Sequence, residues 1–134
     1  MEKSKKNPIL VMVVDDSAVV RGLVSRMLDK DDNIEVVDTV SNGELAVKRV
    51  NDIDLDVIIL DIEMPVMDGL TALPKILEIN PNIKVIMAST LTMKNAEISL
   101  KALQAGAADY IAKPTTSREM TGGQDFEHDL CERV

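Results

Sequence analysis

The chain is nearly devoid of aromatic side chains: of its 134 residues none is Trp, one is Tyr (Tyr110) and one is Phe (Phe126). A core must therefore be filled by aliphatics and by the eight Met, whose flexible thioethers suit irregular gaps. A single cysteine, Cys131, excludes an internal disulfide and a cysteine-built metal site. A single histidine, His128, excludes a multi-His site. Positive charge is also scarce. With 15 Lys and Arg against 23 Asp and Glu, the net charge of −8 argues against a nucleic-acid surface, which needs clustered cations to neutralise phosphates. No stretch approaches the roughly 20 apolar residues of a membrane span. The start imitates a signal peptide, with Lys3, Lys5 and Lys6 ahead of an apolar run from Ile9 to Val14. That run stops at Asp15-Asp16 with no small-residue cleavage site after it, so it reads as a strand of a cytoplasmic protein. What remains is 46% hydrophobic, enough to pack one domain and too short a chain for two.

Residues 9–14 are apolar throughout, as strands buried on both faces of a parallel sheet are. Ser17 can cap a helix in which Val20, Leu23, Val24, Met27 and Leu28 recur at helical spacing, and polar Asp29 to Asn33 ends it. Residues 34–40 read as a second, more polar strand, which suits a sheet edge. Ser41 and Glu44 stand at capping-box spacing ahead of a second helix with Ala46, Val47 and Val50 inward. Val57 to Leu60 is a third strand, followed by a loop from Asp61 to Gly69. Leu70, Leu73 and Leu77 mark a third helix, which Pro74 predicts to begin near Ala72, since proline is tolerated in a first turn. Val85 to Ala88 is a fourth strand. Ile98, Ala102 and Ala105 give a fourth helix closed by Gly106, and Tyr110 to Ala112 a short fifth strand stopped by Lys113-Pro114. Strands alternating with helices at this spacing predict an α/β fold, a parallel sheet with helices on both faces. Residues 115–124 lack any apolar period and read as a linker. Phe126, Leu130 and Val134 then open an amphipathic helix, which predicts a chain cut from a longer protein.

The chemistry gathers at strand ends. Asp15-Asp16 follows the first strand and Asp61 the third, and open parallel sheets bind ligands outside the carboxyl ends of their strands. Taken alone, Asp15, Asp16 and Ser17 need only cap the first helix. If the first and third strands are neighbours, three carboxylates converge. Two unit charges about 4 Å apart repel by roughly 4 kcal/mol at an effective dielectric near 20. Either one carboxyl is then protonated or a metal sits among them. Oxygen donors without His or Cys suit Mg²⁺. Lys113, at the end of the fifth strand, can reach the same edge to bind a phosphoryl oxygen or hold a carboxylate. Ser89-Thr90, at the end of the fourth, can donate a hydroxyl to an oxyanion. Met64-Pro65 and Asp68-Gly69 are turn signals. By themselves His128 reads as a solvated helix residue and Cys131 as a thiol in the core or at an interface.

Taken together, Val13-Val14-Asp15-Asp16-Ser17, Leu60-Asp61-Ile62-Glu63-Met64-Pro65-Val66-Met67-Asp68-Gly69, Ser89 and Lys113-Pro114 resemble the receiver domain of two-component response regulators over residues 9 to about 114. Among receivers, Asp61-Ile62-Glu63-Met64-Pro65 and Met87-Ala88-Ser89-Thr90-Leu91-Thr92 resemble the one at the N-terminus of the chemotaxis protein-glutamate methylesterase. The resemblance implies a doubly wound, flavodoxin-like five-stranded parallel sheet of order 2-1-3-4-5. It implies a receiver core over residues 1–114, with residues 115–134 a linker and the start of the last helix before an effector domain. Asp61 would take a phosphoryl group from a histidine kinase. Asp16, Asp61 and the backbone carbonyl of Glu63 would bind Mg²⁺, with Asp15 reaching it through water. Lys113 and Ser89 would contact the phosphoryl group, and Tyr110 would report the switch. The face formed by helix four, strand five and helix five would meet the effector or a downstream protein. Two departures stand out: Glu63 where many receivers have Asn, and a long stretch from Thr115 to Asp125.

The chain carries no Gly-x-Ser-x-Gly, so esterase activity would belong to a longer parent and the chain itself reads as a non-enzymatic receiver that labels itself at Asp61. A stand-alone receiver acting by protein binding is the alternative output. A Mg²⁺-dependent phosphatase with an Asp nucleophile would need Asp-x-Asp after its first strand, where this chain has Asp15-Asp16-Ser17. A flavin-binding module would need a Ser/Thr/Gly-rich phosphate loop there, and two aspartates would repel phosphate.

Overall fold

The computed structural model describes residues 7–89, 93–113 and 124–134. Among them five strands alternate with five helices: β1 (Ile9–Val14), α1 (Ala18–Asp29), β2 (Ile34–Val40), α2 (Gly43–Asp52), β3 (Val57–Asp61), α3 (Gly69–Ile79), β4 (Lys84–Ser89), α4 (Met93–Gln104), β5 (Asp109–Ala112) and α5 (Gln124–Arg133). All four strand pairings are parallel, in the order β2-β1-β3-β4-β5. The polar second strand is an edge, as its sequence predicts, and β5 is the other. None of the described helices is long and apolar enough to cross a membrane.

The apolar runs are explained by burial on both faces. Met12, Val14, Ile58, Leu60, Val85 and Met87 point into one core, which α2, α3 and α4 cover with Ala46, Val50, Leu73, Ile76 and Ala102. Val11, Val13, Val57, Ile59, Ile86, Ala88 and Ile111 point into the other, covered by Val20, Leu23, Val24, Met27 and Leu28 of α1 and by Leu130 of α5. Alternate residues of one strand thus serve opposite layers, which is why β1, residues 57–60 of β3 and residues 85–88 of β4 are apolar throughout. Met12, Met27 and Met87 are core filler, in place of the missing aromatics.

Two helix starts differ from the sequence reading. The N-cap of α2 is Asn42, whose Oδ1 accepts from Leu45 N–H at 2.9 Å, and not Ser41 in a capping box with Glu44. Helix α3 starts at Gly69, three residues before Ala72, because Asp68 caps it: its Oδ1 accepts from Thr71 N–H at 2.7 Å. Pro74 therefore lies inside the helix, just past the first turn, where its missing N–H costs one bond. At the end of α4, Gly106 has φ 116°, and Ala107 N–H reaches back to Ala102 O at 3.0 Å, the left-handed stop its sequence predicts. The expectations at Thr90, Leu91, Thr92, Pro114 and 115–123 lie outside the described residues, as does the side chain of Phe126.

Candidate functional site

Because β1 lies beside β3, with Val14 opposite Leu60, the residues that follow them meet at one sheet edge. Asp15 is held on every side. Its N–H donates to Val40 O at 3.1 Å, and its Oδ1 accepts from Ser17 N–H at 2.9 Å. Its Oδ2 accepts from Lys113 Nζ at 3.1 Å, and its carbonyl from Arg21 Nη1 at 2.7 Å. Asp61, the last residue of β3, is also buried, and its Oδ1 lies 3.1 Å from the same Lys113 Nζ. Its Oδ2 is buried and has no hydrogen-bond partner among the described residues. Asp16 is exposed, yet oxygens of Asp15, Asp16 and Asp61 lie within 4.8 Å of one another. The sequence expectation that the three carboxylates and Lys113 share one sheet edge is met.

Such crowding shows in the acidities. Burial, and then the Asp15 carboxylate, push Asp61 up to about 7, against the opposing pull of Lys113. Burial works to lower Lys113, but Asp61 and then Asp15 outweigh it and hold the ammonium above its ordinary value. One ammonium thus serves two carboxylates, and a third stands at the rim. The group can hold a metal ion. Its donors are oxygens only, and one carboxylate oxygen of Asp61 is buried without a partner among the described residues, which fits a hard divalent cation. Asp15, Asp16 and Asp61 are the residues that would hold it.

The approach of chain to chain behind the cluster explains Gly69. Its N–H donates to Ile62 O at 2.8 Å, and a Cβ there would lie 2.1 Å from the carbonyl oxygen of Asp61. No side chain fits without displacing the backbone that carries Asp61. Glu63 is exposed, two residues beyond Asp61. Ser89 is buried at the end of β4, and its carbonyl accepts from Lys113 N–H at 2.8 Å, so both lie at the same edge as Asp61. Tyr110 stands apart, on β5 opposite Met87, and is 44% exposed: a surface aromatic and not a core one. His128 is exposed, and its Nε2 lies 3.2 Å from Glu132 Oε1 within α5. Burial, then Asp31 and Glu127, push the partly buried Cys131 thiol up, away from a reactive thiolate. The sequence reading passed over Arg21. One of two arginines on α1, with Arg26, it carries no mark that sets it apart in the sequence.

Comparison with known proteins agrees with this geometry. The family model for the response regulator receiver domain matches residues 11–122. Protein-glutamate methylesterase/protein-glutamine glutaminase 1 of Rhodospirillum rubrum is 66% identical over 127 residues, which is 95% of this chain and 33% of that protein. Its namesake in Paramagnetospirillum magneticum is 59% identical over 94% of this chain and 33% of its own length. The chain therefore spans about a third of the curated relatives it matches. The response regulator domain of Thermotoga maritima CheB superposes with TM-score 0.81 at 34% identity, covering 94% of this chain and 96% of that one. In the CheX–CheY complex of Borrelia burgdorferi with BeF₃ and Mg²⁺, the matched chain gives TM-score 0.79 at 30% identity, with 95% and 87% covered. On the family match, on the fold and on the strand-end carboxylates with their lysine, the chain belongs to the response regulator receiver domain family.

Proposed function

We propose that this receiver accepts a phosphoryl group from a histidine kinase on Asp61 and so controls a methylesterase effector in chemotaxis. The observation that carries the reading is Asp61: its carboxylate stands with those of Asp15 and Asp16, its Oδ1 lies beside Lys113, and its Oδ2 is buried and unpartnered among the described residues. That oxygen is the nucleophile. It bonds to phosphorus as the phosphorus–nitrogen bond of phosphohistidine breaks, and the imidazole leaves with the bonding pair. Phosphoryl transfer needs alignment and charge neutralisation more than covalent help. Lys113, already 3.1 Å from Asp61 Oδ1, neutralises one phosphoryl oxygen. Asp15, tied to the backbone of Ser17, keeps that lysine in place.

Asp16, Asp61 and the Glu63 carbonyl would hold Mg²⁺ in this reading, and Asp15 would assist through water. The metal supplies positive charge where the transferred group gathers negative charge. The Borrelia burgdorferi relative, solved with BeF₃ and Mg²⁺, supports the assignment. Ser89 then donates its hydroxyl to the phosphoryl group, and Tyr110 and the face of α4, β5 and α5 respond, a population shift toward the conformer that closes on phosphate. The effector is inferred from relatives whose names carry a methylesterase and which extend beyond the matched third.

The test is self-labelling. With acetyl phosphate and Mg²⁺, intact mass should rise by one phosphoryl group in the wild type and not in Asp61→Asn. A persistent adduct in that variant would place the nucleophile elsewhere.

A further inference from the structure

Arg21 lies one turn into α1, where its backbone N–H donates to Ser17 O at 2.9 Å. Its Nη1 donates to the carbonyl of Asp15 at 2.7 Å, so the charge is directed at a peptide oxygen and not at one of the three nearby carboxylates. From the opposite side, the Asp15 carboxylate accepts from Ser17 N–H at 2.9 Å. The Asp15-Asp16-Ser17 turn is thus held twice, by the Asp15 carboxylate on the Ser17 amide and by a side chain of α1 on the Asp15 carbonyl. The carbonyl that Arg21 holds belongs to the peptide joining Asp15 to Asp16. Its plane sets the direction in which the Asp16 side chain leaves the backbone. Asp16 is the exposed member of the cluster, so burial does not hold it in place as it holds Asp15 and Asp61.

We propose that Arg21 is a positioning residue for metal binding: by gripping the Asp15 carbonyl it fixes the Asp15-Asp16 peptide, and with it the approach of the Asp16 carboxylate to Asp61. The inference rests on the metal reading above. Groups that orient metal-binding side chains typically change affinity about 10–100-fold when removed. Mg²⁺ demands near-ideal octahedral geometry and Ca²⁺ tolerates irregular sites, so a loosened Asp16 penalises Mg²⁺ more.

The experiment uses the full chain, isotope-labelled, titrated separately with Mg²⁺ and Ca²⁺ and followed by amide NMR shifts. Arg21→Met keeps the apolar stem and removes the donors; Arg21→Lys keeps a cationic donor. Arg21→Met should bind Mg²⁺ at least about 10-fold more weakly, lose less for Ca²⁺, and in metal-free buffer exchange its Ser17 amide faster. Arg21→Lys should recover part of each. Mg²⁺ affinity within a factor of about two of wild type, or equal losses for the two ions, would overturn the proposal. Should Arg21→Met fail to fold, Arg21→Lys decides it: its Mg²⁺ affinity must fall below wild type while its Ca²⁺ affinity holds, and parity for both ions overturns the idea. A wild type without any Mg²⁺ response instead overturns the metal reading, and this proposal with it, a result distinct from a wild type that binds and an Arg21 variant that binds equally well.

Discussion

Asp61 is electrostatically strained, with a consequence for stability. Its acidity in the folded, metal-free protein lies at about 7, against an ordinary value of 3.8, first through burial and then through Asp15. Between those values the folded chain keeps a proton that the unfolded chain has released. The stabilisation is complete below pH 3.8 and is lost as pH rises through about 7. Thermal unfolding in chelator should show the melting temperature of wild type falling by several degrees across this window relative to Asp61→Asn, whose amide does not titrate; parallel curves would refute it. Val66 carries strain of another kind. It adopts φ 69°, closes a tight turn in which Met67 N–H reaches Pro65 O at 2.7 Å, and is 74% exposed. A β-branched residue there costs about 1–2 kcal/mol, and its exposed side chain gains little from burial. Val66→Gly should raise the melting temperature by about 2–4 °C in a calorimetric scan, since a γ-turn at positive φ is strained for any residue with a Cβ and open to glycine.

Among the helices, α1 combines two opposite faces. Val20, Leu23, Val24, Met27 and Leu28 are buried against the sheet, while Gly22 faces open space with nothing within 4 Å of an added Cβ. A glycine in a helix interior costs about 1 kcal/mol relative to alanine, and no contact here compensates. Gly22→Ala should therefore stabilise the chain by about that amount, read as an upward shift of the urea midpoint with an unchanged slope. In the proposed reading the switch belongs to β4 and β5. Ser89 ends β4, opposite Ala112, while Tyr110 pairs with Met87 two residues earlier. A hydroxyl drawn toward a phosphoryl group frees space beside β4 that the exposed Tyr110 ring can enter. Ser89→Ala should still be labelled at Asp61, yet show smaller beryllofluoride-induced NMR changes over residues 95–112. The expected loss is on the order of 1–3 kcal/mol of coupling. Changes equal in size and extent to wild type would pass the relay to Lys113.

At the scale of the whole molecule, α5 is tied into the second core layer. Leu130 is fully buried there, Arg133 Nη1 lies 2.6 Å from Asp109 Oδ2 on β5, and Lys84 donates to the Arg133 carbonyl. The helix thus packs on the sheet beside α1, although the stretch before it has no periodicity to place it. Most elements were legible in the sequence, because a strand buried on both faces must be apolar at every position and a surface helix must repeat its apolar residues every three or four. The carboxylates at strand ends were legible for the same reason: an acidic residue directly after an apolar run can only stand at the sheet edge. Other features rest on contacts between segments distant in the chain. Adjacency of β1 and β3 brings Asp15, Asp16 and Asp61 together, and a pattern read along one dimension does not carry pairing order. Asp68 rather than Pro74 sets the start of α3, because Gly69 must pass within reach of the Asp61 backbone. The grip of Arg21 on a peptide carbonyl leaves no mark in the sequence, since every residue offers that acceptor. Local chemistry by itself determined the strands, the helices and the kinds of group at the sheet edge. Only the tertiary structure decided which carboxylate is fully bonded and which keeps a free oxygen, because that depends on where a single lysine from the last strand comes to rest.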